Sequence, residues 1–159
     1  MHTDPIRVDG PTTAPAPATH LLVGFDRHPA GQAALAYAVD LGRRLHAYVH
    51  AAHAIDIDDL PIDPDSPDFE DRVRATLAEE RDQACAVLAA LPGNWTYHGA
   101  PGDPTDLLLS LAETHSVEMI LLGAPRHGMM SLLERLMGES VAARMIHHAH
   151  RPVVLVPAP

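Results

Sequence analysis

Two short, unbroken apolar runs near the end of the chain limit the folds open to it. Met119–Leu122 and Val153–Val156 show no polar alternation, the pattern of strands covered on both faces in a parallel sheet. Parallel neighbours need a long crossover between them, and the intervening residues supply one. Gly123, Gly128 and Gly138 mark points where backbone turns sharply or lets something come close. Ser131 followed by Glu134 has the form of a capping box, which predicts a helical turn over Ser131–Met137. A second helix is predicted from Ser140, with Val141, Met145 and Ile146 at core-facing spacing. Its first turn would aim unpaired N–H groups and a positive dipole end at the glycine turn, an arrangement that holds phosphate.

The rest of the chain repeats the alternation. Residues 1–19 are rich in Pro, Ala and Thr, and predict a disordered tail with no apolar face to dock. His20–Asp26 reads as a strand, and Pro29 after His28 as the start of a helix. Ala30, Ala34, Tyr37, Ala38, Leu41 and Leu45 give that helix its predicted apolar face. Ala47–Ala54 is a second, small-residued strand. Ile55–Asp71 carries seven aspartates and Glu70, broken by Pro61, Pro64 and Pro67, and predicts a solvated surface loop. A calcium loop is excluded there, because the glycine required at its sixth position falls on Pro61 counted from Asp56. Phe69, Val73, Leu77, Ala84, Leu88 and Leu91 space out a second helix, closed by Pro92-Gly93, with Cys85 as a small filler beside that face. Asn94–Gly99 is a third strand, and Asp103-Pro104-Thr105-Asp106 starts a helix running to about His115. Strand and helix alternate throughout, so the expected fold is a single α/β domain over residues 20–159, an open parallel five-stranded sheet with helices on both faces.

Charge narrows the function. The net charge of −10 argues against nucleic acid as a partner, and eleven arginines with no lysine remove Schiff-base and Walker-lysine chemistry. Cys85 is the lone cysteine and fits a reducing compartment. No apolar run approaches the ~18 residues that span a bilayer, and the N-terminus lacks a signal-peptide layout. The expected location is cytoplasmic, away from membranes. No G-x-S-x-G elbow is present, so no catalytic residue is assigned. Among the twelve histidines, His50 and His53 fall on opposite faces of a strand, and His150 falls past the helix that carries His147. No metal site is expected from these spacings.

The ending GAPRHG, then GES, then HHAHRPVVLVP, with the opening LLVGFDRHPAGQAALAYAVDLG, resembles the universal stress protein family over about Leu21–Pro157. The resemblance implies a Rossmann-like nucleotide-binding α/β fold with strand order 3-2-1-4-5. It implies ATP, with Mg²⁺, as the ligand, and a homodimer formed through the C-terminal strand. Carried over residue by residue, the nucleotide site would comprise Asp26, Ala51, Gly123, Gly128, Gly138, Ser140 and Val141, and Arg126 joins it as this chain's own cation in place of a family glycine. In open parallel sheets ligands bind where the winding reverses, here between the first strand, ending at Asp26, and the fourth, ending at Gly123. The glycine motif departs from the family pattern. Arg126 stands where a second glycine is usual, Glu139 separates Gly138 from Ser140, and Arg27-His28 replaces Gly-Ser. Glu139 would repel a triphosphate and Arg126 would offset part of that. Three roles remain open on this reading. They are a regulatory stress-response module that binds ATP, a relative that acts only through protein contacts, and a weak nucleotide hydrolase.

Overall fold

The computed structural model describes residues 2–125 and 140–159. In chain order it contains β1 (Ile6–Asp9), β2 (His20–Gly24), α1 (Pro29–Leu45), β3 (Tyr48–Ile55), α2 (Phe69–Leu88), β4 (Trp95–Pro101), α3 (Pro104–Thr114), β5 (Met119–Gly123), α4 (Val141–His148) and β6 (Val153–Val156). The sheet order is β1-β4-β3-β2-β5-β6. Strands β4-β3-β2-β5-β6 run parallel, with register fixed at Val23 beside Ala51 and Leu121, and Leu122 beside Leu155. This is the 3-2-1-4-5 order that the resemblance implied, with one strand added at the edge.

The addition corrects the five-stranded, all-parallel expectation. Ile6–Asp9 pairs antiparallel with β4, Ile6 opposite Gly99 and Asp9 opposite Thr96. The cause lies in residues 6–9 themselves: Ile and Val alternate with Arg and Asp, a period of two that suits an edge strand half covered by a core. Ile6 and Val8 pack against the cluster that holds Trp95 and Tyr97, while Arg7 and Asp9 bond each other outside, Nε to Oδ1 at 3.1 Å. Gly10 then donates to the Trp95 carbonyl at 2.9 Å. These residues dock where a disordered tail was expected, and they cover the edge that β4 would otherwise leave open.

Two cores sandwich the sheet. One lies under α1 and α2 and contains Leu21, Val23, Phe25, Val49, Ala51, Leu88, Trp95 and Tyr97. The other lies under α3 and α4 and contains Leu22, Ala52, Leu108, Ile120, Leu122, Ala142 and Met145. Helix α1 turns its small side inward: Ala30, Gly31, Ala34, Leu35, Ala38, Val39 and Gly42 are buried. Tyr37 and Leu45, assigned inward by spacing, are each 47% exposed. The small residues let the helix axis sit close to the sheet, and that approach leaves no room for a tyrosine beneath. The acidic segment is a surface loop up to Asp68, as expected, with a short 3₁₀ turn at Ile57–Asp59. Buried Leu60 pins it to Ile55, Val73 and Leu77. Among the described residues no helix is long and apolar enough to cross a membrane.

Candidate functional site

A cleft of about 900 Å³ opens at the C-terminal ends of the parallel strands, between β2 and β5, where the winding reverses. Its floor is set by chain alternation. Gly24, Ala52, Ala54 and Leu122 come from the strands and Leu108 rises from α3, so the floor is apolar and shallow-sided. The N-terminal ends of α1, α3 and α4 all meet its rim, through His28, Pro104 and Ser140.

Each rim element is fixed locally. Asp26 follows β2 and takes the His28 N–H on Oδ1 at 2.9 Å, while its carbonyl accepts from Gln32 Nε2 at 2.6 Å. That turn is tight: a Cβ on Gly31 would lie 2.3 Å from Asp26 Oδ1 and 2.7 Å from its backbone nitrogen. Asp103 caps α3 by accepting from Thr105 N at 2.8 Å and Asp106 N at 3.1 Å. Arg144 of α4 donates to the other oxygen of Asp103 at 2.9 Å, tying the two helix starts together. That bond, more than the two backbone N–H groups, holds the Asp103 carboxyl below the usual carboxylate range. Ser140 caps α4, its hydroxyl accepting from Ala143 N at 3.2 Å.

Asp26, Gly123, Ser140 and Val141 therefore come together on one cleft. Ala51 does not. It is fully buried in the opposite core, and its neighbours Ala52 and Ala54 line the cleft instead. Successive strand residues face opposite ways, so an offset of one residue in aligning β3 moves the assignment to the wrong side of the sheet. Gly123 has a different use from the one expected of a phosphate glycine. A Cβ there would lie 2.6 Å from the Ala30 carbonyl carbon and 2.7 Å from the Gly31 nitrogen, so this glycine lets β5 pack directly on α1. Arg126, Gly128 and Gly138, like the capping box at Ser131 and Glu134, lie outside the described residues.

The described rim is acidic. Asp26, Asp56 and Asp59 line it, and no lysine or arginine does among the described residues. Arg27 points to the other side of Asp26, where it lies 3.9 Å from Asp59 and 3.8 Å from Glu80. Such a rim offers acceptors to the hydroxyl and amine groups of a ligand, and helix starts to its anionic end. A sequence reading could have found Ala52 and Ala54 by placing β3 in register with β2. Asp56 and Asp59 belong to the acidic run, and only the fold shows that its first turn reaches the cleft.

A comparison with curated proteins gave no match. Among solved structures, the chain is similar to the universal stress protein UspA from Lactobacillus plantarum, at 25% identity and a TM-score of 0.64, over 89% of this chain and 99% of that one. It is similar in fold to a universal stress protein in complex with cAMP, at 23% identity and a TM-score of 0.57, over 91% of this chain and all of that one. A third similar fold is the universal stress protein from Archaeoglobus fulgidus in complex with dAMP, at 21% identity and a TM-score of 0.57, over 87% and 97% of the two chains. The family model for universal stress proteins matches residues 17–157, from just before β2 to the end of β6, and on that match the chain belongs to the universal stress protein family.

Proposed function

We propose that the protein is a regulatory module that binds an adenine nucleotide, ATP with Mg²⁺ foremost, and acts through binding rather than turnover. One observation carries the reading: the Asp26 carboxylate and the Ser140-capped start of α4 share a single cleft at the reversal point of the sheet. Its volume of about 900 Å³ lies in the range of small-molecule sites, roughly 300–1,000 Å³. The cAMP and dAMP complexes of similarly folded proteins support the ligand class. Asp26 uses one carboxylate oxygen on His28 N, and a carboxylate has acceptor capacity beyond a single N–H. It would take a donor from base or ribose, with Ala52 and Ala54 leaving room for the ring. The first turn of α4 would face the phosphates.

Asp56 and Asp59 would repel those phosphates unless a cation stands between, and oxygen-rich Mg²⁺ coordination supplies one. The same acidity favours the second reading, a family member without nucleotide that works through protein contacts. Calorimetric titration with ATP, with and without Mg²⁺, and with dAMP and cAMP separates the two. Binding that Asp26→Ala weakens by ~10–100-fold, the worth of one charged hydrogen bond, is the expected result. No heat and no thermal shift at millimolar nucleotide would favour the second reading. The proposed assembly is a homodimer through β6, which pairs with β5 on one side and leaves Leu155 39% exposed.

A further inference from the structure

Away from the cleft, on the α3 side of the sheet, histidines from four elements converge. His20 starts β2, His50 lies in β3, His98 in β4, and His115 follows the last turn of α3. His50 is 2% exposed, and the other three are half-buried. His50 Nδ1 stands 3.3 Å from His98 Nε2, and His50 Nε2 stands 3.0 Å from His20 Nδ1. The His115 ring stacks on His50 with centroids 4.0 Å apart. One ring nitrogen from each of His50, His98 and His115 lies within 4.8 Å of the other two.

We propose that His50, His98 and His115 form a binding site for a divalent ion of the zinc type, with His20 as the residue that orients His50. Two ligands on a tetrahedral ion with metal–nitrogen bonds of ~2.0–2.1 Å are ~3.3–3.4 Å apart, and His50 Nδ1 and His98 Nε2 already stand at 3.3 Å. A neutral imidazole carries one N–H. If His50 donates its Nε2–H to His20, its Nδ1 lone pair faces His98, and the gap between them is closed by either a proton or a cation. That donated bond is the outer-shell contact that metal-binding histidines use to fix their tautomer. His115 completes the set by turning its half-exposed ring off the His50 face. Three imidazoles leave a fourth position for water, on the side where His98 and His115 reach solvent.

Neutral rings are the ligating form. Burial, with the neighbouring histidines, pushes the pKa of His50 down to about 3 and that of His98 to about 4, and burial lowers His115 too. Arg7, whose charge acts on all three rings, is held by Asp9 at 3.1 Å. None of these histidines lines the cleft, so the site stands or falls separately from nucleotide binding.

The test uses the full chain, freed of metal by chelator and dialysis, and titrated with Zn²⁺ by calorimetry and with Co²⁺ by visible absorption. One equivalent should bind at micromolar protein, with the strong absorption of tetrahedral Co²⁺. His98→Gln/His115→Gln should lower the affinity at least tenfold, and His20→Asn, which spares all three ligands, by roughly 10–100-fold. His147→Gln/His150→Gln, the pair that helical spacing offers elsewhere, should leave it unchanged. His115→Gln alone, at a half-exposed helix end, keeps the test valid if the double variant does not fold. Absence of Zn²⁺ binding in the parent overturns the proposal. So does binding that is indifferent to His98 and His115, or lost in the His147/His150 variant.

Discussion

Asn94 joins the N-terminal segment to the sheet, and its replacement gives a graded test of that docking. Its backbone is left-handed, with φ of 61°, and its side chain is 8% exposed. Oδ1 accepts from Thr13 N at 3.1 Å and Nδ2 donates to Thr13 Oγ1. Its backbone N donates to the Pro11 carbonyl at 2.7 Å, and its carbonyl accepts from Val49 N at 3.0 Å. Asn94→Gly keeps the backbone conformation and removes the two side-chain bonds, at ~1 kcal/mol each, while the extra freedom of glycine in the unfolded chain adds up to ~1 kcal/mol. The expected loss is ~2–3 kcal/mol, a fall in melting midpoint of ~5–10 °C for a chain of this size. Asn94→Ala loses the same bonds and adds ~1–2 kcal/mol for a Cβ in the left-handed region, less what alanine regains in the unfolded state. It should melt ~2–4 °C below the glycine variant. Thr13→Ala should cost ~1 kcal/mol in the parent and almost nothing in the Asn94→Gly background, because the partner is gone. Thermal melts followed by circular dichroism measure the parent and all four variants. If alanine is no worse than glycine, or if Thr13→Ala adds in full to Asn94→Gly, the N-terminal segment is not held in this way.

Gly123→Ala should lower stability by ~1–3 kcal/mol, the cost of overpacking, because its Cβ meets the backbone of Ala30 and Gly31 at 2.6–2.7 Å and neither can step aside. A midpoint within a degree of the parent would show that β5 and α1 are not in such contact. The proposed dimer predicts a species of twice 17.1 kDa in sedimentation at micromolar protein. Leu155→Pro, which removes an outward-facing donor from β6 and spares its bonds to β5, should shift it to monomer; a parent that sediments at 17.1 kDa refutes the assembly.

What the sequence made legible follows from how far each argument reached. The parallel strands were readable because Leu21–Val23, Met119–Leu122 and Val153–Val156 are continuous apolar runs, and such runs need cover on both faces. Ser140 and Asp103 were readable as helix starts because capping is decided within three residues. The strand at Ile6–Asp9 was hidden by scale: its alternation spans four residues inside nineteen whose composition reads as disordered. The buried face of α1 was misplaced because helical spacing was fitted to the larger residues, whereas Gly31, Ala34, Ala38 and Gly42 make the close contact. The histidine cluster draws on positions 20, 50, 98 and 115, and no local spacing rule joins them.

Strand β3 shows why register, more than composition, decides what this fold offers at its surface. Between its end residues Tyr48 and Ile55, β3 holds only valine, alanine and histidine, so neither face of it is marked by bulk, and pattern alone leaves the faces interchangeable. Pairing settles them: Val49 and Ala51 lie beside Leu21 and Val23, whose side chains fill the α1 core, so His53 follows onto that side. His50, Ala52 and Ala54 are left to the α3 side. The small pair at the C-terminal end then opens the cleft beside Asp26, and the histidine nearer the start of the strand meets His98 and His115. A slip of one residue would instead put Ala51 and His53 on the cleft side and turn His50 toward the α1 core. Both proposed sites therefore depend on the same pairing of β3 with β2. A substitution that disturbs it, unlike one at Asp26 or His98 alone, should impair nucleotide and metal binding together.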